Sequence, residues 1–260
     1  MTVEAVKIDT AARVVQKVED FVAVEKPIHI FIGRSPYATI LCTPVDLNEL
    51  VVGHLLSEGI VRAVDEIHEL SFREESLCYV NLKPTVDIDK RLRLLKRIHR
   101  IIPSTCGGLH LSQFLKGIKP IKSAAKVKAE ILQKSVASLN VMAETFRKTG
   151  GMHAAAIYTV NGELLAFAED VGRHNAVDKA FGKAALKNAL FSNCFLVLSG
   201  RLSGDIVLKA VRVGIPIVAS ISAALNSGIE VARKANVTLL GFVRGRRMNV
   251  YNAPERILLS

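Results

Sequence analysis

The second half of the chain alternates short apolar runs with amphipathic segments. Three apolar runs predict strands, at residues 195–198, 217–221 and 237–243. Segments with helical spacing of apolar residues predict helices, at 175–189, 205–213 and 227–235. Upstream, Asn161-Gly162 separates two apolar runs, 154–160 and 163–168, which is the pattern of a β-hairpin. Strands that alternate with helices predict a parallel or mixed sheet covered on both faces.

The first half combines strands with one strong helix. The strands are predicted at residues 21–24, 28–32, 39–42 and 77–82. Asp46 is placed to cap the helix and Gly59 to end it. The apolar stripe of this helix consists of Leu47, Leu50, Val51, His54 and Leu55. Together these elements predict an α+β unit.

A long helical region is predicted between the two halves. It runs from about residue 123 to 148, is broken once, and ends at Gly150-Gly151, and we expect it to connect two domains. We therefore predict an α+β domain over residues 1–122, ending in a basic segment and the loop of Cys106, and an α/β domain over residues 123–260.

Composition narrows the class of protein. The chain has 10 Phe, 4 Tyr and no Trp, so its core must be aliphatic and a stacking surface built on Trp is excluded. No apolar run reaches the roughly 18 residues that span a bilayer. The first ten residues lack the basic start and apolar stretch of a signal peptide. A cytoplasmic protein is expected.

The positive charge is concentrated in one stretch. The net charge is +11, and residues 90–129 carry 11 Lys and Arg with no Asp or Glu. Such a stretch is either a solvated helix face or a surface that attracts anions. Both interpretations stay open on charge alone.

The four cysteines differ in their surroundings. Cys42, Cys78 and Cys194 lie in apolar runs, where we expect each to act as a small hydrophobic residue in a strand. Neither their number nor their spacing suggests disulfides, and no CxxC, CxxH or HExxH pair suggests a metal site. Cys106 lies instead between Pro103 and Gly107-Gly108, which predicts a flexible, exposed loop.

Cys106 is the candidate reactive thiol. Residues 90–100 predict a helix with an apolar stripe and cations on its other faces. Cations that face the loop would favour the thiolate, which is the form that acts as a nucleophile or accepts sulfur at neutral pH. The alternative is a surface cysteine in a tight turn.

Three segments near strand ends are candidates for anion binding. The loop Ser199-Gly-Arg-Leu-Ser-Gly-Asp205 joins a strand to a helix, and its amides could cradle a phosphate. The last strand leads into Arg244, Arg246 and Arg247 around one glycine, a grouping typical of phosphate recognition. The third segment, residues 169–179, packs seven polar groups into eleven residues.

At these segments the sequence resembles the FdhD family of sulfur carriers required for formate dehydrogenase activity. Five ordered blocks carry the resemblance: Gly150-Gly-Met-His-Ala-Ala-Ala-Ile157, Glu169-Asp-Val-Gly-Arg-His-Asn-Ala-Val-Asp-Lys179, Ser199-Gly-Arg-Leu-Ser-Gly204, Val218-Ala-Ser-Ile-Ser222 and Gly241-Phe-Val-Arg-Gly-Arg-Arg-Met-Asn-Val-Tyr251. The resemblance covers most of the chain and implies a carboxy-terminal domain similar to the three-layer cytidine-deaminase fold.

The resemblance also implies a function. A cysteine desulfurase would pass sulfur to Cys106, which would hold it as a persulfide and deliver it to the molybdenum of the bis(molybdopterin guanine dinucleotide) cofactor before insertion into formate dehydrogenase. The family's cofactor-binding segment corresponds to Phe242, Val243, Arg244, Gly245, Arg246 and Arg247. The resemblance thus implies a sulfurtransferase-type carrier rather than a conventional turnover enzyme, with no tightly bound zinc expected. A homodimer is the expected assembly.

Two departures from the family pattern stand out. Many members carry a Cys-x-x-Cys pair in the loop, whereas the second position here is Leu109, so no resolving thiol is available locally. One cysteine is chemically adequate for a simple persulfide carrier. The stretch Ala223-Ala-Leu-Asn-Ser227 replaces a Pro-Thr-containing segment, which puts nucleotide contacts there in doubt.

Three alternative functions compete with that of a sulfur carrier. A zinc deaminase needs a His-x-Glu and a later Pro-Cys-x-x-Cys, and neither is present, although His153 and His174 could still line the site. A nucleic-acid-binding module could use the basic run 90–128, but that run lacks interleaved aromatic residues. A chaperone that binds the cofactor or guanine nucleotide without transferring sulfur is the third alternative.

Overall fold

The computed structural model describes residues 1–91 and 117–259. The amino-terminal part starts with an antiparallel hairpin of β1 (Thr2–Asp9) and β2 (Val14–Phe21). A four-stranded sheet follows, in the order β4-β3-β6-β5. Its strands and the single helix between them are β3 (Lys26–Ile32), β4 (Ser35–Cys42), α1 (Leu47–Ser57), β5 (Ile67–Arg73) and β6 (Leu77–Leu82). One face of this sheet packs against α1 through an aliphatic cluster.

The carboxy-terminal part is built on a six-stranded mixed sheet in the order β13-β12-β11-β10-β8-β9. After β7 (Val127–Lys128), its elements are α2 (Ala129–Met142), α3 (Glu144–Thr149), β8 (His153–Thr159), β9 (Leu164–Asp170), α4 (Arg173–Leu186), β10 (Cys194–Leu198), α5 (Gly204–Val213), β11 (Ile217–Ser220), α6 (Asn226–Ala235), β12 (Thr238–Arg244), β13 (Arg247–Asn252) and β14 (Ile257–Leu258). The central strands β10, β11 and β12 are parallel. Short 3-10 turns occur at Val64–Glu66, Phe191–Asn193 and Pro254–Arg256.

Helices cover both faces of the six-stranded sheet. On β8, Ala155 and Ile157 face the cluster formed with α4, α5 and α6. The alternate residues Ala154, Ala156 and Tyr158 face the cluster formed with α2. Because β8 is buried on both faces, it reads in the sequence as a continuous apolar run. The predicted mixed sheet with helices on both sides is confirmed.

The backbones of helices α1 and α4 approach each other closely where the two helices cross. A Cβ atom added at Gly53 of α1 would collide with the carbonyl group of Asp178, and one added at Gly182 of α4 would collide with that of Glu49. The absence of these two side chains allows the helices to approach closely. The crossing places the four-stranded sheet and α1 against the carboxy-terminal part. The division at residue 122 stays a prediction.

Several predicted elements are confirmed and some boundaries are wrong. The hairpin of β8 and β9, the helix α1 and the helix break at Ala143 occur as expected. The strand predicted at 21–24 is wrong, because β2 ends at Phe21, where its last partner, Thr2, is reached. The long helical region begins only at Ala129, since Val127–Lys128 pair with β14. Among the described helices, none is long and apolar enough to cross a membrane.

Asp46 does not act as the predicted helix cap. Its backbone is left-handed, with a φ of 54°, and its side chain makes no capping hydrogen bond. Its carboxylate lies 2.6 Å from the Lys183 ammonium of α4. Asp46 therefore joins α1 to α4 instead of capping α1. Gly59 does end the helix, with a φ of 75°.

Candidate functional site

The parallel strands β10, β11 and β12 end at one edge of the six-stranded sheet, which we call the carboxyl edge. Several residues lie at this edge because they end or follow these strands, or begin or follow the neighbouring strands β8 and β9. They are His153, Arg173, Ser199–Arg201, Ser220–Ser222 and Gly241–Arg244. Hydrogen bonds fix these loops to one another. The Ser220 hydroxyl donates to the Gly200 carbonyl at 2.7 Å, and the Phe242 N–H donates to the Ser222 carbonyl at 2.9 Å. Ligands of α/β sheets bind at such an edge.

Most of the polar block at 169–179 is used inside the protein. The Asp170 carboxylate is buried, lies 2.7 Å from the Lys179 ammonium and accepts the Thr43 N–H at 3.0 Å. Lys179 also donates to the Thr43 carbonyl at 2.9 Å. Asn175 donates to the Leu41 carbonyl at 2.8 Å. These contacts lock the loop after β4 against the start of α4.

Asp178 of the same block lies at the centre of a second buried network. Its carboxylate accepts hydrogen bonds from the Lys209 ammonium at 2.9 and 3.0 Å and from the Ser57 hydroxyl at 2.6 Å. The Lys209 ammonium also lies 2.9 Å from Glu58, and the His54 ring lies 3.3 Å from Asp178. Although burial opposes ionisation, the nearby Lys209 charge and the hydrogen bonds hold the pKa of Asp178 below its usual value. The network joins α1, α4 and α5.

Arg173 and His174 have no such role. Neither side chain makes a hydrogen bond or ion pair with another described residue, although both are partly buried. The Nε atom of Arg173 is itself buried and has no acceptor among the described residues. A buried donor without a partner costs about 1–3 kcal/mol. The sequence block thus separates into residues that hold the fold together and Arg173, which lies at the carboxyl edge against Gly200. The charges that act on the His174 ring are those of Lys209, Arg173, Asp178 and Glu58.

Arg201 lies beside Arg173. The aliphatic part of the Arg173 side chain lies over Gly200, where an added Cβ would come within 3.0 Å of its Cβ atom. Burial and the positive charge of Arg201 lower the pKa of Arg173, while Asp205 acts in the opposite direction. Within the described residues, no carboxylate forms an ion pair with either arginine. Two guanidinium groups therefore share this corner without a paired counter-charge.

Both histidines at the site favour the neutral form. His153 lies 3.3 Å from the Ser199 hydroxyl, and burial together with Arg173 and Arg201 lowers its pKa. Burial, Lys209 and Arg173 lower the pKa of His174 to about 4. Neither ring adds positive charge to the site at neutral pH.

The loop at 199–205 does not offer all of the free amides that its sequence suggests. The Leu202 N–H donates to the Ala223 carbonyl at 2.9 Å, and the Gly204 N–H donates to the Ser227 hydroxyl at 3.1 Å. The Ser203 N–H donates to the Arg201 carbonyl at 3.2 Å. The contribution of this loop to the carboxyl edge is therefore the side chain of Arg201 more than a cradle of amides.

The predicted cofactor-binding segment consists of the end of β12, the turn at Gly245 and Arg246, and the first residue of β13. Phe242 has a φ of 51° and is 40% exposed as a residue, and the Arg244 guanidinium lies 5.8 Å from the centre of its ring. The Nε group of Arg244 donates to the Ile221 carbonyl at 3.0 Å. Arg246 and Arg247 are exposed, whereas Val243 is buried in the core beneath α2. Only the backbone of Val243 is available to a ligand.

Three cysteines are unsuited to carrying sulfur. Cys42, Cys78 and Cys194 are buried. Burial raises their thiol pKa values to about 11, about 12 and about 11, respectively, so at neutral pH they are protonated. Cys106 and its loop lie outside the described residues. Of the basic run before it, Arg91 is described, and it pairs with Glu66 at 2.6 Å.

Arg173 and Arg201 were not predicted as a pair. Each lies in one of the segments predicted to bind anions or to carry polar groups, but the two residues are 28 positions apart. The signal that could have joined them was topological. Arg173 follows β9 and Arg201 follows β10, and both ends lie at the same edge of the sheet.

Comparisons with known proteins place the chain in a family. The model of the FdhD/NarQ family matches residues 23–258. Sulfur carrier protein FdhD of Sulfolobus acidocaldarius is 40% identical over 240 residues, which cover 92% of each chain. The protein of the same name from Bacillus subtilis is 36% identical over 94% of this chain and 92% of its own.

A solved structure agrees with these matches. It is described as a formate dehydrogenase accessory protein from Desulfotalea psychrophila, is 29% identical, covers 99% of both chains and gives a TM-score of 0.81. The architecture and the sequence thus lead to the same group of proteins. The chain belongs to the FdhD/NarQ family.

Proposed function

We propose that this protein is a sulfur carrier that holds sulfur as a persulfide on Cys106 and passes it to the bis(molybdopterin guanine dinucleotide) cofactor of a formate dehydrogenase. The names of its relatives support a carrier role. The observation that carries the assignment to Cys106 is the burial of the other three thiols, whose raised pKa values make them poor nucleophiles.

The transfer needs only one thiol in the carrier. The Cys106 thiolate attacks the outer sulfur of a persulfide on a cysteine desulfurase, so that a new S–S bond forms and the donor thiolate leaves. In the second step the outer sulfur moves to a reduced metal centre, which gives up two electrons, and Cys106 returns as a thiolate. No resolving thiol takes part, so Leu109 does not block either step.

The carboxyl edge is suited to the anionic client of this reaction. The exposed side chain of Phe242 offers a surface for base stacking. Arg246 and Arg247 are exposed close to it in the sequence and supply positive charge. A guanine dinucleotide combines an aromatic base with a pyrophosphate, which matches this pairing. The proposal includes a cytoplasmic location, a homodimer, and the desulfurase and formate dehydrogenase as partners.

A chaperone without sulfur transfer is the second candidate function. It is favoured by the same carboxyl edge, because nucleotide binding there does not depend on a thiol. The two functions differ in what the loss of Cys106 does.

Complementation tests the carrier function. In cells that lack their own copy of this protein, Cys106→Ala should abolish formate dehydrogenase activity while the variant accumulates at the normal level. Cys194→Ala is the matched control and should retain activity, because its thiol is buried and only donates to the Leu190 carbonyl. Retained activity in Cys106→Ala would favour the chaperone.

Binding of GDP tests the cofactor segment. Arg246→Gln combined with Arg247→Gln should weaken GDP binding by about tenfold or more, because two exposed guanidiniums are lost. Arg233→Gln, which removes an exposed arginine at the end of α6, is the control and should bind GDP normally. Unchanged binding in the double variant would place the nucleotide elsewhere.

A further inference from the structure

The corner formed by Arg173, Gly200 and Arg201 lies outside the predicted cofactor segment. Gly200 has no side chain, and the aliphatic part of Arg173 occupies that space. The arrangement sets the Arg173 guanidinium beside Arg201, which is exposed. A buried Nε atom of Arg173 has no acceptor in the described part of the chain. The fold therefore holds one arginine in place with its hydrogen-bonding capacity unused.

The start of α4 adds backbone donors to the same corner. Arg173 is the first residue of this 14-residue helix, and the preceding Gly172 makes no side-chain cap. The N–H groups of Arg173, His174 and Asn175 donate to no described residue, and the first turn contains no acidic side chain. Free amides at a helix start, together with the helix dipole, favour an anion.

Nearby carboxylates are committed elsewhere. Asp170 is bound to Lys179 and to backbone amides. Asp205 is near enough to influence Arg173, yet it forms no ion pair with it. The two guanidiniums thus keep their charge available to a ligand.

We propose that Arg173, Arg201 and the first turn of α4 form an anion subsite for a phosphate or pyrophosphate group, separate from the segment Phe242–Arg247. Two planar guanidiniums and a set of amides match the several oxygens of a phosphate better than the two of a carboxylate. The hydroxyl of Ser199 and the ring of His153 border the subsite and are 3.3 Å apart.

The subsite and the predicted segment are placed to act on one ligand. Arg201 of the subsite follows β10, the segment lies at the end of β12, and only β11 separates these two strands. Adjacent strands lie about 4.8 Å apart, so the two strand ends are separated by roughly 10 Å. A nucleoside diphosphate can span that distance. This link to the cofactor rests on the proposed function, whereas the subsite itself does not.

Calorimetric titration of the full-length protein with inorganic pyrophosphate tests the subsite. The wild-type protein should bind pyrophosphate, and Arg173→Met combined with Arg201→Met should weaken that binding by about tenfold or more. Arg201→Gln alone, at an exposed position, should weaken it in the same direction without risk to the fold. Arg233→Gln is the charge-matched control and should bind as the wild type does.

Titration with GDP and with inorganic phosphate identifies the source of the group. If the double variant loses affinity for GDP as well, the subsite receives the phosphates of a nucleotide. If it loses affinity for the inorganic ions alone, the subsite receives a free phosphate. Absence of pyrophosphate binding to the wild type, or equal binding by wild type and both subsite variants, would overturn the proposal. Neither result bears on whether Cys106 accepts sulfur.

Discussion

Two groups of charged residues each include a residue of α4, Asp178 in one and Arg173 in the other, and they differ in how their charges are balanced. In the buried network, the Lys209 ammonium lies 2.9 Å from the Asp178 carboxylate and 2.9 Å from the Glu58 carboxylate. At the carboxyl edge, Arg173 and Arg201 have no paired carboxylate among the described residues. The first group balances its charge inside the protein. The second group leaves its positive charge available to a ligand.

This difference shows that residues of one dense polar motif can have separate roles. Asp178 and Arg173 are five positions apart on one helix, and both lie in the block that carries the family resemblance. Asp178 faces α1 and α5, whereas Arg173 faces the loop after β10. The presence of both in one motif therefore reflects two separate demands, one for the fold and one for a ligand.

The largest effect is expected from breaking the buried network. Asp178→Ala leaves the buried Lys209 ammonium with only Glu58 as a carboxylate partner, and we expect the free energy of unfolding to fall by about 3–5 kcal/mol. Urea denaturation measures this loss. A loss below about 1 kcal/mol would show that the network does not hold the helices together.

A double variant separates lost packing from lost charge balance. Asp178→Leu combined with Lys209→Met removes both charges and retains side-chain volume, so it should be more stable than Asp178→Leu alone. If the double variant is less stable than the single one, the uncompensated charge is not the cause of the loss.

Acid should weaken the fold through His174. Its pKa is about 4 in the folded protein and 6.5 in its ordinary state, so the folded form binds fewer protons between these values. The stabilising contribution is complete above pH 6.5 and declines as the pH falls toward 4. We expect it to be on the order of 2 kcal/mol over that window.

The measurement is the free energy of unfolding at several pH values between 7 and 5. His174→Gln, which cannot be protonated, should flatten the profile over this range. His153→Gln is the companion variant and should also reduce the slope, because the pKa of His153 is lowered as well. Profiles that match the wild type in both variants would contradict the electrostatic account of the site.

The smallest effect is expected at the carboxyl edge. Arg201→Gln removes one of two neighbouring positive charges, so the ligand-free protein should keep its stability or gain roughly 0.5 kcal/mol. Thermal unfolding with and without pyrophosphate measures this, and the variant should lose the stabilisation that the ligand gives. A clear destabilisation of the ligand-free variant would mean that Arg201 has a structural role.

The sequence predicted the carboxy-terminal part well. The pattern of β8 to β12 and α4 to α6 is regular because β8, β10, β11 and most of β12 are buried on both faces, β9 alternates buried with more exposed residues, and each helix has a distinct apolar face. Asn161-Gly162 located the hairpin because few other sequences adopt its turn. The membership in the family followed from ordered motifs and is confirmed.

The amino-terminal part was less predictable. Strands β1, β2 and β5 were not predicted, because none of their residues is buried and polar and apolar residues are therefore mixed along them. β13 was missed for the same reason, and its pairing with β12 turns the predicted strand end at Arg244 into a hairpin. The role of Asp46 depended on Lys183 of another helix, which no local pattern reveals.

The candidate site was predicted in part. The segments that meet at the carboxyl edge were identified, but burial of Val243 and pairing of Arg244 with the Ile221 carbonyl required the structure. Four points stay predictions: the site residues Cys106 and Phe242 to Arg247, the cofactor, the resemblance to the cytidine-deaminase fold, and the domain boundary.

The most direct test of the central claim is the detection of a persulfide on Cys106. The full-length protein is incubated with an active cysteine desulfurase and cysteine, and its peptides are analysed by mass spectrometry with and without reductant. The account predicts one added sulfur atom on the Cys106 peptide, removable by reductant, and none on the peptides of Cys42, Cys78 and Cys194. An unmodified Cys106, or sulfur on a buried cysteine instead, would contradict it.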